Sequence, residues 1–153
     1  MEYNISIGNQ GFDDIRGNQC FYIDKTAFIK EWWDAKDVVT LITRPRRFGK
    51  TLNMSMLNCF FSNRYARRGD LFEGLSIWDD ENYRKLQGTY PVIFLSFADV
   101  KSGSFYEARN TIAAIINDVY KQYRYLLSSD IITDGEKEMW VQLEKYVISP
   151  SMN

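Results

Sequence analysis

Within the run Arg44-Pro45-Arg46-Arg47-Phe48-Gly49-Lys50-Thr51-Leu52, four cations, a glycine and a hydroxyl fall close together. That combination suits the phosphate chain of a nucleotide. Such an anion needs fixed donors near its oxygens, and Gly49 lets the backbone approach with no side chain in the way. The N–H groups that open a following helix, together with its dipole, supply donors of this kind. Lys50 would reach the β- and γ-phosphates, and the Thr51 hydroxyl would be a ligand of nucleotide-bound Mg²⁺. Gly-Lys-Thr is a short match by itself, and it gains chemical meaning only between a buried strand and a helix. The usual loop of this type opens with glycine where this chain has Arg44. The competing reading is a surface turn in which Arg44, Arg46, Arg47 and Lys50 are solvated.

The flanking sequence supplies the required elements. Val38-Val39-Thr40-Leu41-Ile42-Thr43 is short, β-branched and nearly all apolar, as a strand buried on both faces should be. Behind the cationic run, Leu52, Met56, Leu57, Phe60 and Phe61 recur at helical spacing, predicting a helix to about Phe61. Upstream, residues 1–20 read as loop with one short strand. Asp24 reads as the N-cap of a helix to Asp34 that carries Phe28, Ile29, Trp32 and Trp33 on one face. Residues 62–76 read as a polar connection holding Leu71-Phe72 and Leu75. A short helix over Asp80–Gln87 should end at Gly88 in the left-handed conformation.

Tyr90–Phe97 forms the second expected core strand, with Pro91 tolerable at its start. Ser104 and Glu107 make a capping-box pair opening a helix over 104–127, with Ile112, Ile115, Ile116, Val119, Tyr120, Tyr123, Leu126 and Leu127 at helical spacing. A last helix at about Glu136–Val147 should bury Met139, Leu143, Tyr146 and Val147. Alternating strands and helices predict an α/β fold with a parallel β-sheet core flanked by helices.

Bulk composition narrows the chemistry. A chain of 153 residues with 45% hydrophobic content can build one core. A formal charge of −1 does not call for a nucleic acid or an anionic membrane. The absence of histidine rules out imidazole zinc sites and His-dependent acid–base triads within the chain. Cys20 and Cys59 form no CxxC and read as buried or half-buried thiols in a reducing compartment. No apolar run approaches the ~18–20 residues of a membrane span. The expectation is a cytoplasmic protein with no membrane partner.

These segments also resemble a known family. Phe21-Tyr22-Ile23-Asp24-Lys25-Thr26, followed by Leu41-Ile42-Thr43-Arg44-Pro45-Arg46-Arg47-Phe48-Gly49-Lys50-Thr51-Leu52, is similar to the predicted AAA-ATPase-like family. Further matches follow in Met56-Leu57, Phe60-Phe61, Leu71-Phe72-Glu73-Gly74-Leu75, Tyr90-Pro91-Val92-Ile93 and Leu95-Ser96-Phe97, over about residues 5–125. In that family the Arg-Pro-Arg-Arg-Phe-Gly-Lys-Thr segment is the Walker A loop, so Arg44 in place of glycine is typical of it. The resemblance implies ATP and Mg²⁺ as cofactors, with nucleotide held by Arg44, Pro45, Arg46, Arg47, Phe48, Gly49, Lys50, Thr51 and Leu52. It also implies that Asp24-Lys25-Thr26 lies near the nucleotide, although capping by Asp24 and a solvated Lys25 would explain that segment equally.

Family members are longer, and many carry a C-terminal domain of the PD-(D/E)XK nuclease superfamily. Their Walker B strand lies beyond the helix expected at 104–127, and no such strand precedes Asn153. Asp99, ending an apolar run, has no acidic neighbour and reads as a structural turn residue. The resemblance therefore implies an N-terminal fragment with an incomplete P-loop NTPase fold that binds ATP, with hydrolysis in the complete protein. An unpaired edge on strand 38–43 would then favour an oligomer or a missing C-terminal segment as cover. One alternative is nucleic-acid binding through Arg44, Arg46, Arg47, Arg64, Arg67 and Arg68, with Tyr65 stacking on bases. Another is a small-molecule kinase, for which no acceptor site can be named.

Overall fold

The computed structural model describes residues 4–5, 8–43, 45, 48–101 and 103–148, with backbone alone at 146–148. The chain divides into two compact units, Met1–Val92 and Ile93–Asn153.

The first unit is built on α1 (Phe12–Gly17), α2 (Ala27–Ala35) and α3 (Lys50–Phe61), followed by 3-10 turns at Asn63–Tyr65, Gly69–Phe72 and Ser76–Asp79 and by α4 (Glu81–Arg84). Helix α3 turns Asn53, Met56 and Phe60 inward at steps of three and four, so these residues share one face. Phe12 and Phe72 stack at 5.0 Å, and Phe60 meets Phe72 edge-on at 5.1 Å. Ile29, Cys59, Phe61, Leu71, Leu75 and Ile77 complete this core. Phe28, Trp32 and Trp33 pack against it from α2, as their spacing predicts. The segment expected to be a polar connection is more than that, because its 3-10 turns bring Leu71, Phe72, Leu75 and Ile77 into the centre. Arg16 fastens it by donating to the carbonyls of Leu71 (2.7 Å) and Glu73 (2.6 Å).

Gly88 adopts φ +69° and donates its N–H to the Phe60 carbonyl at 2.8 Å. A Cβ there would lie 2.3 Å from the Ala66 backbone, so both conformation and space demand glycine.

The expected parallel β-sheet core is overturned. Among the described residues there is no sheet, and the only β contacts are isolated bridges, Asn4 with Cys20 and Ser62 with Tyr90. Segments 38–43 and 91–97 run without a hydrogen-bonded ladder. Val38 is fully exposed, and Val39 and Leu41 are each 82% exposed. An apolar run states a preference for burial and does not encode its long-range partner. Here the aromatic contacts of α1, α2, α3 and the 3-10 turns satisfy the demand for a core. Without a sheet, an incomplete P-loop NTPase fold is not what these residues form.

The second unit comprises α5 (Phe105–Gln122), a 3-10 turn at Arg124–Ser128 and α6 (Asp134–Ile148). Ser104 caps α5 by accepting from the Glu107 N–H at 3.3 Å. The reciprocal box lies at α6, where Thr133 Oγ1 accepts from the Glu136 N–H (3.3 Å) and Glu136 Oε2 accepts from the Thr133 N–H (2.7 Å). Tyr120 meets Trp140 edge-on at 4.9 Å, and Arg124 pairs with the buried Glu144 at 3.7 Å. Met139 and Leu143, expected inside, are exposed, while Tyr146 and Val147 lie outside the residues whose side chains are described. No helix among the described residues is long and apolar enough to cross a membrane.

Candidate phosphate-binding site

Helix α3 begins on Gly49, whose φ of +75° and ψ of 21° put it in the left-handed region at the N-cap. A side chain at this φ would be strained by roughly 1–2 kcal/mol. Space is not the constraint, because a Cβ would make only an ordinary 3.7 Å contact with Lys25 Nζ. Gly49 offers no side chain to cap the helix, and its carbonyl accepts from the Asn53 N–H at 2.9 Å. The N–H groups of the first turn of any α-helix have no intrahelical acceptor. In a helix of 12 residues the aligned peptide dipoles add positive potential at the same end.

This end opens on a cleft of about 680 Å³ lined by Gly8, Asn9, Gln10, Gly49, Lys50, Thr51 and Leu52. That volume is of the size that small-molecule ligands occupy. The structure thus gathers Gly49, Lys50, Thr51 and Leu52 around one space, and Leu52 also anchors the helix start against the core. Pro45 and Phe48 are exposed and are not among the described residues that line the cleft. Arg44, Arg46 and Arg47 lie outside the described residues. Gly8, Asn9 and Gln10 were not singled out in the sequence. Their only local signal is a glycine before two amides, read as loop, and Gly8 indeed turns at φ +86°.

The segment before α2 is tied to the 3-10 turn at Ser76–Asp79. Asp24 Oδ1 accepts from the N–H of Thr26 (2.8 Å) and from its hydroxyl (2.7 Å), and Oδ2 accepts from the Ser76 N–H (2.8 Å). The buried Thr26 hydroxyl in turn accepts from the Ile77 N–H at 3.1 Å. Burial alone would raise the Asp24 carboxyl, but hydrogen bonds from the backbone and hydroxyls of Ser76 and Thr26 outweigh it and hold the group below the ordinary carboxylate range. Asp24 therefore does not cap α2 as expected. The helix starts at Ala27 with Thr26 at the N-cap, and Asp24 acts as a tether between loops. Tyr22 lies just upstream, with its hydroxyl donating to Met56 Sδ at 3.3 Å and its pKa pushed up to about 12, chiefly by burial.

The second cationic segment is arranged differently. Tyr65 packs against the core and donates its hydroxyl to Asp13 at 2.9 Å, so its ring is occupied. Arg68 pairs with Asp70 at 3.0 Å. Cys20 is half-buried and Cys59 buried, both as free thiols, and burial with Asp13 nearby raises Cys59 to about 11. Asp99 sits exposed in a turn.

Residues 6–149 match the family described as Predicted AAA-ATPase. Over 94 residues the chain is 33% identical to an "Uncharacterized protein in vnfD 5'region" of Azotobacter chroococcum mcd 1. The match covers 61% of this chain and 17% of that protein. No solved structure matches.

Proposed function

This chain belongs to the predicted AAA-ATPase family, and from that premise we propose that it binds the phosphate chain of ATP at the N-terminus of α3. The observation that carries the reading is Gly49, left-handed at the start of a 12-residue helix that faces an open cleft. In this reading the first-turn amides donate to phosphate oxygens, where the helix dipole already favours negative charge. The Lys50 ammonium neutralises the distal phosphates as a flexible point charge. Arg44, Arg46 and Arg47 would add to the positive field, and Gly8, Asn9 and Gln10 form another wall of the same cleft.

The residues present fit Mg²⁺ carried by the nucleotide better than an independent metal site. Among the described residues no group of three His, Cys, Asp or Glu could hold a metal ion. Thr51 supplies a hydroxyl on the cleft wall, and the cation would draw its remaining ligands from phosphates and water. When bound, Mg²⁺ would offset charge on the phosphates. Phosphoryl transfer rests on positioning and charge stabilisation, and the groups at this cleft serve to bind the phosphate chain. Two free thiols support a reducing cytoplasm as its setting. The engaged ring of Tyr65 and the Arg68–Asp70 pair favour nucleotide over nucleic acid as the ligand.

The test is equilibrium titration with ATP·Mg²⁺. Lys50→Ala should weaken binding at least about tenfold, the loss expected for one charge-assisted phosphate contact. Equal affinity in the variant and the parent would remove Lys50 from the site.

A further inference from the structure

A second ammonium stands beside the glycine on which α3 begins. A Cβ built on Gly49 would lie 3.7 Å from Lys25 Nζ, so the Lys25 side chain reaches the Gly49 backbone from the segment ahead of α2. Its own backbone is fixed on both sides. Asp24 holds the Ser76 N–H and both polar groups of Thr26, and the Thr26 hydroxyl holds the Ile77 N–H. Asp24 and Thr26 are thus engaged with the 3-10 turn at Ser76–Asp79, whereas Lys25 between them is exposed. None of the ion pairs among the described residues draws on Lys25.

We propose that Lys25 is a second phosphate-binding cation, which engages the polyphosphate chain of the nucleotide from the opposite element to Lys50. The inference rests on the reading of α3 as the phosphate site and adds to it a residue outside the Gly-Lys-Thr run. Lys25 does not itself line the cleft. Its ammonium flanks Gly49, and the four-carbon stem lets it turn onto an anion seated there while the tethered backbone stays in place. A triphosphate carries more charge than one ammonium offsets, and two cations on separate elements would bring Gly49 and the loop before α2 onto the same ligand. Selectivity follows from this arrangement. The contribution of Lys25 grows with the number of phosphates and vanishes for the nucleoside.

The experiment is a titration of the chain with ATP·Mg²⁺, AMP and adenosine, using the parent, Lys25→Ala, Lys25→Arg and Lys50→Ala, with a melting temperature for each. Lys25→Ala should weaken ATP·Mg²⁺ roughly ten- to a hundredfold and AMP much less, with a melting temperature like the parent's. The salt dependence of its ATP affinity should flatten, and Lys25→Arg should recover most of the loss. Unchanged ATP affinity in Lys25→Ala overturns the proposal. So does a loss that falls equally on AMP, or one that Lys25→Arg does not recover, since either marks a structural role. If Lys50→Ala weakens binding and Lys25→Ala does not, this inference alone fails. If the parent binds no ATP, the reading of the site fails and takes this inference with it.

Discussion

In Met1–Val92, side chains from α1, α2, α3 and the 3-10 turns close around Phe12, Phe60 and Phe72, whereas in Ile93–Asn153 the buried residues among those described are Tyr123 and Glu144. The first unit is held by long-range aromatic contacts. The second joins its helices through Tyr120 on Trp140 and Arg124 with Glu144, and otherwise relies on features read within a few residues: the Ser104 cap, the Thr133–Glu136 box and pairs such as Lys121 with Asp118. The candidate site belongs to the unit with the core. A phosphate cradle must hold its donors in place before the ligand arrives, and a helix packed into a buried core does this better than one with few buried side chains.

The strongest way to break this comparison is to truncate one aromatic in each unit. Phe60 is wholly buried and touches both Phe61 and Phe72, so Phe60→Ala should cost about 3–5 kcal/mol. Tyr123→Ala should cost less, about 1–3 kcal/mol, because few buried side chains surround it. Hydrogen exchange read helix by helix should show the larger loss of protection in α3 for the first variant and the smaller loss in α5 and α6 for the second. Equal losses would mean that burial does not distinguish the two units.

A smaller effect sharpens the account of how the first unit positions its loops. The folded Asp24 carboxyl titrates below its ordinary value of 3.8. Its contribution is therefore complete above that value and is lost as pH falls through the folded one. Asp24→Asn should cost about 1–2 kcal/mol at neutral pH, discounted for the exposure of this residue. Its stability should also fall less steeply than the parent's as pH drops below about 4. Parallel pH profiles for the parent and the variant would exclude Asp24 as the tether.

How far these features could be read in the sequence depended on how locally they are encoded. The end of α3 at Phe61 followed from apolar spacing, and Gly88 from its place after a short helix. Gly49 stood out because a phosphate needs the backbone close with no side chain in the way, and the structure adds that it starts α3 in the left-handed region. The strands at 38–43 and 90–97 were misread because their residue types speak of burial, while a ladder needs a partner that no run names. Asp24 was recognised as a capping type, but its second oxygen bonds to Ser76, far along the chain. The fuller capping box at Thr133-Asp134-Gly135-Glu136 is masked in the sequence by Gly135, a residue that disfavours helix interiors. Gly8, Asn9 and Gln10 reach the cleft through the packing of α1 on α3, where the Phe12 N–H donates to Ser55 Oγ at 3.0 Å. No local pattern announces that.

The backbone amides of α3 offer the most direct measurement. In a titration followed by amide nuclear magnetic resonance, ATP·Mg²⁺ should shift the N–H signals of Gly49, Lys50, Thr51 and Leu52 more than any in α5 or α6, and adenosine should leave them in place. Shifts confined to other parts of the chain, or equal responses to adenosine and ATP, would contradict a phosphate site at the start of α3.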